Sequence, residues 1–196
     1  RYYKQNIMTL DLVQTMAQRN GISSLPKIDP NTQDISENAE GHADKLLQAA
    51  ISAVLVGLYK YSRIEQQAAN ILSNVFFHHW QEEVFGIKRE EFVSNVASYS
   101  GVYREEAVAK LDDVFSGAIA VIRENATDPT GSFIKHLFTQ QRKNILLHLP
   151  AAIGMGEALE DNSLDDRTNK MEGPVSNIIH NIEKAFAGTE KSVKKE

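Results

Sequence analysis

The stretch richest in groups that could do chemistry is His78-His79-Trp80-Gln81-Glu82-Glu83. On a helix, His78 and Glu82 stand four residues apart, as do His79 and Glu83, and pairs at that spacing can share a divalent metal. A carboxylate-bridged site in a helical bundle needs more, namely a Glu and Glu-x-x-His pairs from other helices. No Glu-x-x-His occurs in the chain. Adjacent histidines also diverge by about 100° around a helix, so His78 and His79 do not easily serve one site. The plainer reading is a helix end with Phe77 and Trp80 buried and the histidines at its rim. A metal-dependent activity at His78, His79, Glu82 and Glu83 is the weakest of the functional readings.

The same neighbourhood carries an aromatic run, Phe76, Phe77, Trp80 and Phe85. Core packing is the default for such a run, and a patch for a ligand or a protein partner is the alternative. His136 and His148 flank an apolar helix, where rim or core histidines are expected rather than catalytic ones. No Gly-x-Ser-x-Gly elbow is present, and Gly154-Met155-Gly156 follows a helix rather than a strand, so it is no dinucleotide fingerprint. The chain has no cysteine, which excludes disulfides, thiolate nucleophiles and cysteine-based metal sites. With no catalytic set in view, a non-enzymatic role and no cofactor are expected.

Composition narrows the class further. The 196 residues are 42% hydrophobic and 24% charged, ordinary values for a globular chain. The net charge is −5 and the pI is near 5.7. Phosphate recognition needs clustered Lys and Arg, so no nucleic-acid partner is expected. The one basic cluster, Lys191, Lys194 and Lys195, is interleaved with glutamates and reads as a solvated tail over 189–196. No signal peptide is visible; the chain begins at Arg1 rather than Met, so one could have preceded it. The expected location is cytoplasmic.

The elements that must position these groups are helical throughout. Leu46 to Tyr59, LLQAAISAVLVGLY, has no formal charge and is apolar on all sides of a helical wheel. A helix apolar all round is buried, and this one is too short for a membrane span, which needs about 20 apolar residues. It is the expected central helix, from about Ala43 to Tyr61. Other helices are expected over Asn6–Asn20, Ile64–Glu83, Glu90–Ser100, Arg104–Asn125, Ser132 to about Leu149 with Ser132 as its cap, a short one from Pro150, and Pro174–Ala187. The polar stretch Ile22–His42, with Pro26 and Pro30, reads as a long loop. No sustained period-two alternation exists, so no sheet is expected.

Two segments echo each other. LVQTMAQRNGI, Leu12–Ile22, aligns with FVSNVASYSGV, Phe92–Val102, eighty residues on; Gly21 pairs with Gly101. The long helices pair too, Leu46 with Leu111 and Val54 with Ile119, at sixty-five. The difference falls in the proline-containing loop of the first copy. A weaker third echo sets Asn70-Ile71-Leu72 against Asn144-Ile145-Leu146. A unit of short helix, glycine cap, long helix and third helix cannot bury its apolar face alone, so two copies are expected around a shared core. The central pair should then cross near Ser52–Ala53 and Gly117–Ala118, with the first copy the more enclosed.

The second copy, EEFVSNVASYSGVYREEAVAKLDDVFSGAIAVI (Glu90–Ile122), resembles two families. One is the helical hairpin of the histone-like, HU-type DNA-bending proteins. The other is the YidB-like group of bacterial helical proteins. The first resemblance implies a hairpin that associates through its helices, but DNA bending there depends on β-arms and a basic saddle. Here Asp128-Pro129 and another helix follow instead. The YidB-like resemblance fits the all-helical continuation better and carries no functional residue.

The expectation is an all-α compact bundle of about seven or eight helices built from two related units. It forms a single domain over 1–188: unit one about 6–86, unit two about 88–149, and C-terminal helices about 150–188. The expected function is self-association or protein–protein interaction, with a homo-oligomer or protein partner and no membrane span. The alternative is a small-molecule or lipid-binding protein with a cavity between the units near Val54 and Ile119.

Overall fold

Around the buried helix the chain lays down an all-α bundle. The computed structural model describes residues 10–35, 41–73 and 79–164, the side chains of 41–44 and 162 excepted. These residues belong to the first of two compact units into which the chain divides, 1–165. The helix expected at Pro174–Ala187 lies outside them. The helices are α1 (Leu12–Arg19), α2 (Gly41–Tyr61), α3 (Glu65–Leu72), α4 (Trp80–Phe85), α5 (Arg89–Ser100), α6 (Arg104–Asn125), α7 (Gly131–Leu146) and the single turn α8 (Met155–Ala158). Short 3₁₀ turns occupy 86–88, 151–153 and 162–164. No strand occurs among the described residues.

α2 is the axis. From Gln48 to Leu58 every residue is buried, so the run that is apolar all round is enclosed all round. Its polar interruptions are used locally. Ser52 Oγ donates to Gln48 O at 2.6 Å, and the Gln48 amide donates to Pro26 O at 3.0 Å and to His148 O. A buried polar side chain without such partners would be costly. α6 is more amphipathic: Leu111, Phe115, Ala118 and Ile122 are buried, while Asp112, Asp113 and Ser116 face solvent. α2 and α6 pack against each other, with the first the more enclosed. Gly117 does not face α2, however. A Cβ there would stand 3.4 Å from Arg19 Nε and Met16 Cε, so the small residue accommodates α1 and not the central crossing.

Several boundaries depart from the sequence expectation. Of the helix expected over Asn6–Asn20, residues 6–9 lie outside the described residues, and α1 begins at Leu12, because Asp11 accepts a hydrogen bond from Gln14 N at 2.9 Å and caps the helix there. The single helix expected over Ile64–Glu83 is two. α3 ends at Leu72, where Ser73 turns extended and α6 supplies the terminal partner: Arg123 Nε donates to Ile71 O at 2.8 Å and Nη2 to Ser73 O. α7 is capped by Thr130, not Ser132, through Phe133 N at 3.2 Å. Pro150 is extended and precedes a 3₁₀ turn rather than opening an α-helix. The expected loop, over its described part 22–35, is packed: Leu25, Ile28 and Ile35 are buried, and Ile28 N donates to Leu147 O at 2.8 Å.

Candidate functional site

α4 holds Trp80, Glu82, Glu83 and Phe85, four of the residues that the sequence singles out. Phe76, Phe77 and His78 lie outside the described residues. Trp80 and Phe85 are core anchors. Trp80 meets the Tyr61 ring edge-on at 5.9 Å. Phe85 stacks on Phe92 at 3.9 Å and meets Phe115 edge-on at 6.3 Å. Such ring geometries add to the burial of large apolar area.

The ionisable side chains of α4 diverge. His79 is its N-cap, with non-helical backbone, so it does not share a continuous helix with Glu83. Its Nδ1 stands 3.8 Å from Glu82, and Glu82 Oε1 stands 3.1 Å from Arg89 Nε. Glu83 is exposed and accepts a hydrogen bond from Tyr61 OH at 2.7 Å. Tyr61 in turn accepts from Asn70 Nδ2 at 3.3 Å. Burial, and then Glu83, pushes the Tyr61 phenol up to about 12. Among the described residues no group of three or more His, Asp or Glu is placed to hold a metal. His136 is an exposed partner of Gln140. His148 is buried, with Nδ1 2.8 Å from Asn144 O.

A cavity of about 580 Å³ opens where α2 ends and α4 ends. Phe85 and Val84 form one apolar wall, and Ala158 and Leu159 of the following segment form the other. Two isoleucines stand at its mouth: Ile87 is 93% exposed and Ile64 58%. Ile64 was expected on the apolar face of a helix. It precedes α3 in extended backbone instead and points outward. Ile87 is thrust out by the turn at Gly86, whose φ of 52° and ψ of −129° suit glycine.

The rim carries both signs of charge. Lys60 Nζ and Arg63 Nη1 both reach Asp161 Oδ2, at 2.9 and 3.0 Å. Ser163 donates to Asp161 Oδ1 from Oγ at 2.6 Å and from N at 3.2 Å. The Ser163 hydroxyl first, and then Lys60, hold the Asp161 carboxyl down at about 2. This clasp fixes the 155–164 segment against the end of α2 and so builds the second wall. Lys88 pairs with Glu91 at 3.0 Å and Glu157 at 3.6 Å, while Glu160 adds a negative charge.

The second cavity, about 210 Å³, is polar and bounded by Arg19, Asn20, Asp113, Ser116 and Gly117. Val54 and Ile119 are buried in the core and border neither cavity. Of the sequence candidates, the larger cavity gathers only Phe85 and Glu83. Ile64 and Ile87 were missed. The available signal was Gly86-Ile87-Lys88, an apolar residue that belongs to no helical pattern on either side. Comparison with protein-family models, curated proteins and solved structures yields no match to this chain.

Proposed function

We propose that the protein works by association, without catalysis, and that it pairs with a second copy of itself through the face bearing Ile64 and Ile87. The observation that carries this reading is the 93% exposure of Ile87 beside a cleft with Val84, Phe85, Ala158 and Leu159 in its walls and a charged rim. An isologous contact presents the same patch from both partners, so a projection and a hollow side by side are self-complementary. Ile87 of each copy enters the cleft of the other. The mixed rim supports the same occupant. Lys60, Arg63 and Lys88 on one copy meet Glu83 and Glu160 on the other under a two-fold rotation. The YidB-like resemblance fits the continuation of the chain as α7 after α6 and adds no function of its own.

Burying one exposed isoleucine is worth about 1.5–3 kcal/mol. A two-fold contact buries two, so replacing Ile87 with Lys should weaken the dimer by roughly 10²- to 10⁴-fold. Sedimentation equilibrium of wild type and Ile87→Lys tests this. A concentration-dependent dimer lost in the variant is expected, and a wild type that stays monomeric at high concentration overturns the reading.

A second reading, small-molecule or lipid binding, is favoured by one observation. About 580 Å³ lies within the usual range of ligand pockets. It moves that reading from Val54 and Ile119 to the Phe85–Leu159 cleft. Native mass spectrometry of freshly purified protein distinguishes the two: a bound small molecule supports ligand binding, and an unadorned dimer supports association.

A further inference from the structure

The helices of the described unit pair off in a way that no packing requirement of a single bundle imposes. α1 ends with Ile22 N donating to Ala17 O at 3.1 Å and Gly21 N to Gln18 O at 3.1 Å. α5 ends with Val102 N donating to Ala97 O at 3.1 Å and Gly101 N to Ser98 O at 3.4 Å. These are the same two bonds of a Schellman cap, each set eighty residues from the other, with both glycines at positive φ.

The tertiary contacts exchange in the same sense. α1 packs on α2 as α5 packs on α6. Across the halves, α1 packs on α6 as α5 packs on α2, and α3 packs on α6 as α7 packs on α2. The remaining major contacts, α2 with α6 and α3 with α7, join each helix to its own counterpart. Exchanging α1 with α5, α2 with α6 and α3 with α7 therefore maps the main contacts onto themselves. The correspondence breaks around α1 and α5: α1 packs on α7, whereas α4 and the 151–158 segment cover α5.

The third helices are the revealing ones. α3 is fastened to the other half by Arg123, and its Glu65 carbonyl lies against Gly131 of α7. α7 is fastened to the first half by Gln141 Nε2 donating to Leu10 O at 2.6 Å and Asn144 Nδ2 to Asp11 Oδ1 at 3.0 Å. The third helix of each half is thus fastened to the other.

We infer that 10–85 and 89–149 are the two subunits of a fused, interlocked dimer, and that the inner face of each half fits the opposite half of a second copy. The connector is three residues, Gly86-Ile87-Lys88, and Ile87 at its centre is exposed. It joins the halves without contributing to the shared core. This inference does not rest on the association proposed above.

Deleting Gly86–Lys88 from the full chain tests it. Without the three-residue connector, α4 and α5 of one chain cannot both reach their places, so the halves must pair between two copies. The expected product is a dimer of wild-type helicity that persists through a hundredfold dilution. It cannot be the surface pair, because Ile87 has been removed. A monomer of wild-type helicity overturns the inference. Should the deletion unfold the chain, a full-length variant with a protease recognition sequence inserted at 86–88 decides. After cleavage the two pieces should remain one particle with unchanged circular dichroism, and refolding from urea should become second order in protein concentration. Pieces that separate, or an N-terminal piece that leaves as a folded monomer, overturn it.

Discussion

The His148 ring is almost wholly buried, and its Nδ1 donates to Asn144 O, so the neutral imidazole is the form that the core accepts. Burial lowers its pKa from 6.5, against smaller contributions from the Asn144 carbonyl and Asp11, while Lys27 acts with the burial. A base whose pKa is depressed on folding binds more protons unfolded than folded in the window below 6.5. Stability then falls as pH drops through 6.5 and is fully present above it. Melting temperatures at pH 7.5 and 5.5 should show that loss in wild type and a flatter dependence in His148→Gln; equal slopes would refute the assignment. Asp161 behaves oppositely at the acid end. Its depressed carboxyl contributes stability above 3.8 that disappears as pH falls toward 2. Lys60 and Arg63 are partly exposed, which weakens the clasp by solvent screening. Asp161→Asn should therefore cost about 1–2 kcal/mol at pH 7 and almost nothing near pH 2, read by urea denaturation. Neither residue's role was legible in the sequence. His148 could be placed between leucines, but its carbonyl partner is set by where α7 ends. Asp161 fell in a polar stretch with no period, and only the end of α2 gives it meaning.

At the scale of helices, spacing carried most of the information. α6 spans Arg104–Asn125, as its apolar stripe predicts, and α2 and α5 end where expected. Spacing failed where a local hydrogen bond competes with it. Asp11 caps α1 inside the predicted span, and Arg123 takes the carbonyls that a longer α3 would have used internally. Two glycines test how tightly the elements meet. A Cβ at Gly131 would fall 2.3 Å from Glu65 O, a backbone atom that cannot swing aside. Gly131→Ala should therefore force α3 and α7 apart and cost about 2–4 kcal/mol. At Gly117, inside α6, the nearest atoms are flexible side-chain ends at 3.4 Å. There alanine should be neutral or stabilise by up to about 1 kcal/mol through helix propensity. Urea midpoints of the two variants check the contrast; similar effects at both sites would contradict the packing described.

For the whole molecule, the inferred fused dimer is argued from exchanged helix contacts, which strings of residues cannot display. The echo in the sequence proposes which helices correspond; it does not say that α3 packs on α6 and α7 on α2. The proposed association face was the least legible feature of all. Periodicity describes what a helix buries, and Ile64 and Ile87 lie just outside helices, one before α3 and one in the turn after α4. Their exposure beside the Phe85–Leu159 cleft exists only once the 155–164 segment is clasped to α2. Sedimentation equilibrium of the full chain beside its Ile87→Lys variant tests the central claim most directly. A reversible wild-type dimer is expected, with a variant of unchanged circular dichroism whose dissociation constant is at least a hundredfold higher. A wild type that remains monomeric at high concentration, or a variant that dimerises as well as wild type, would contradict it.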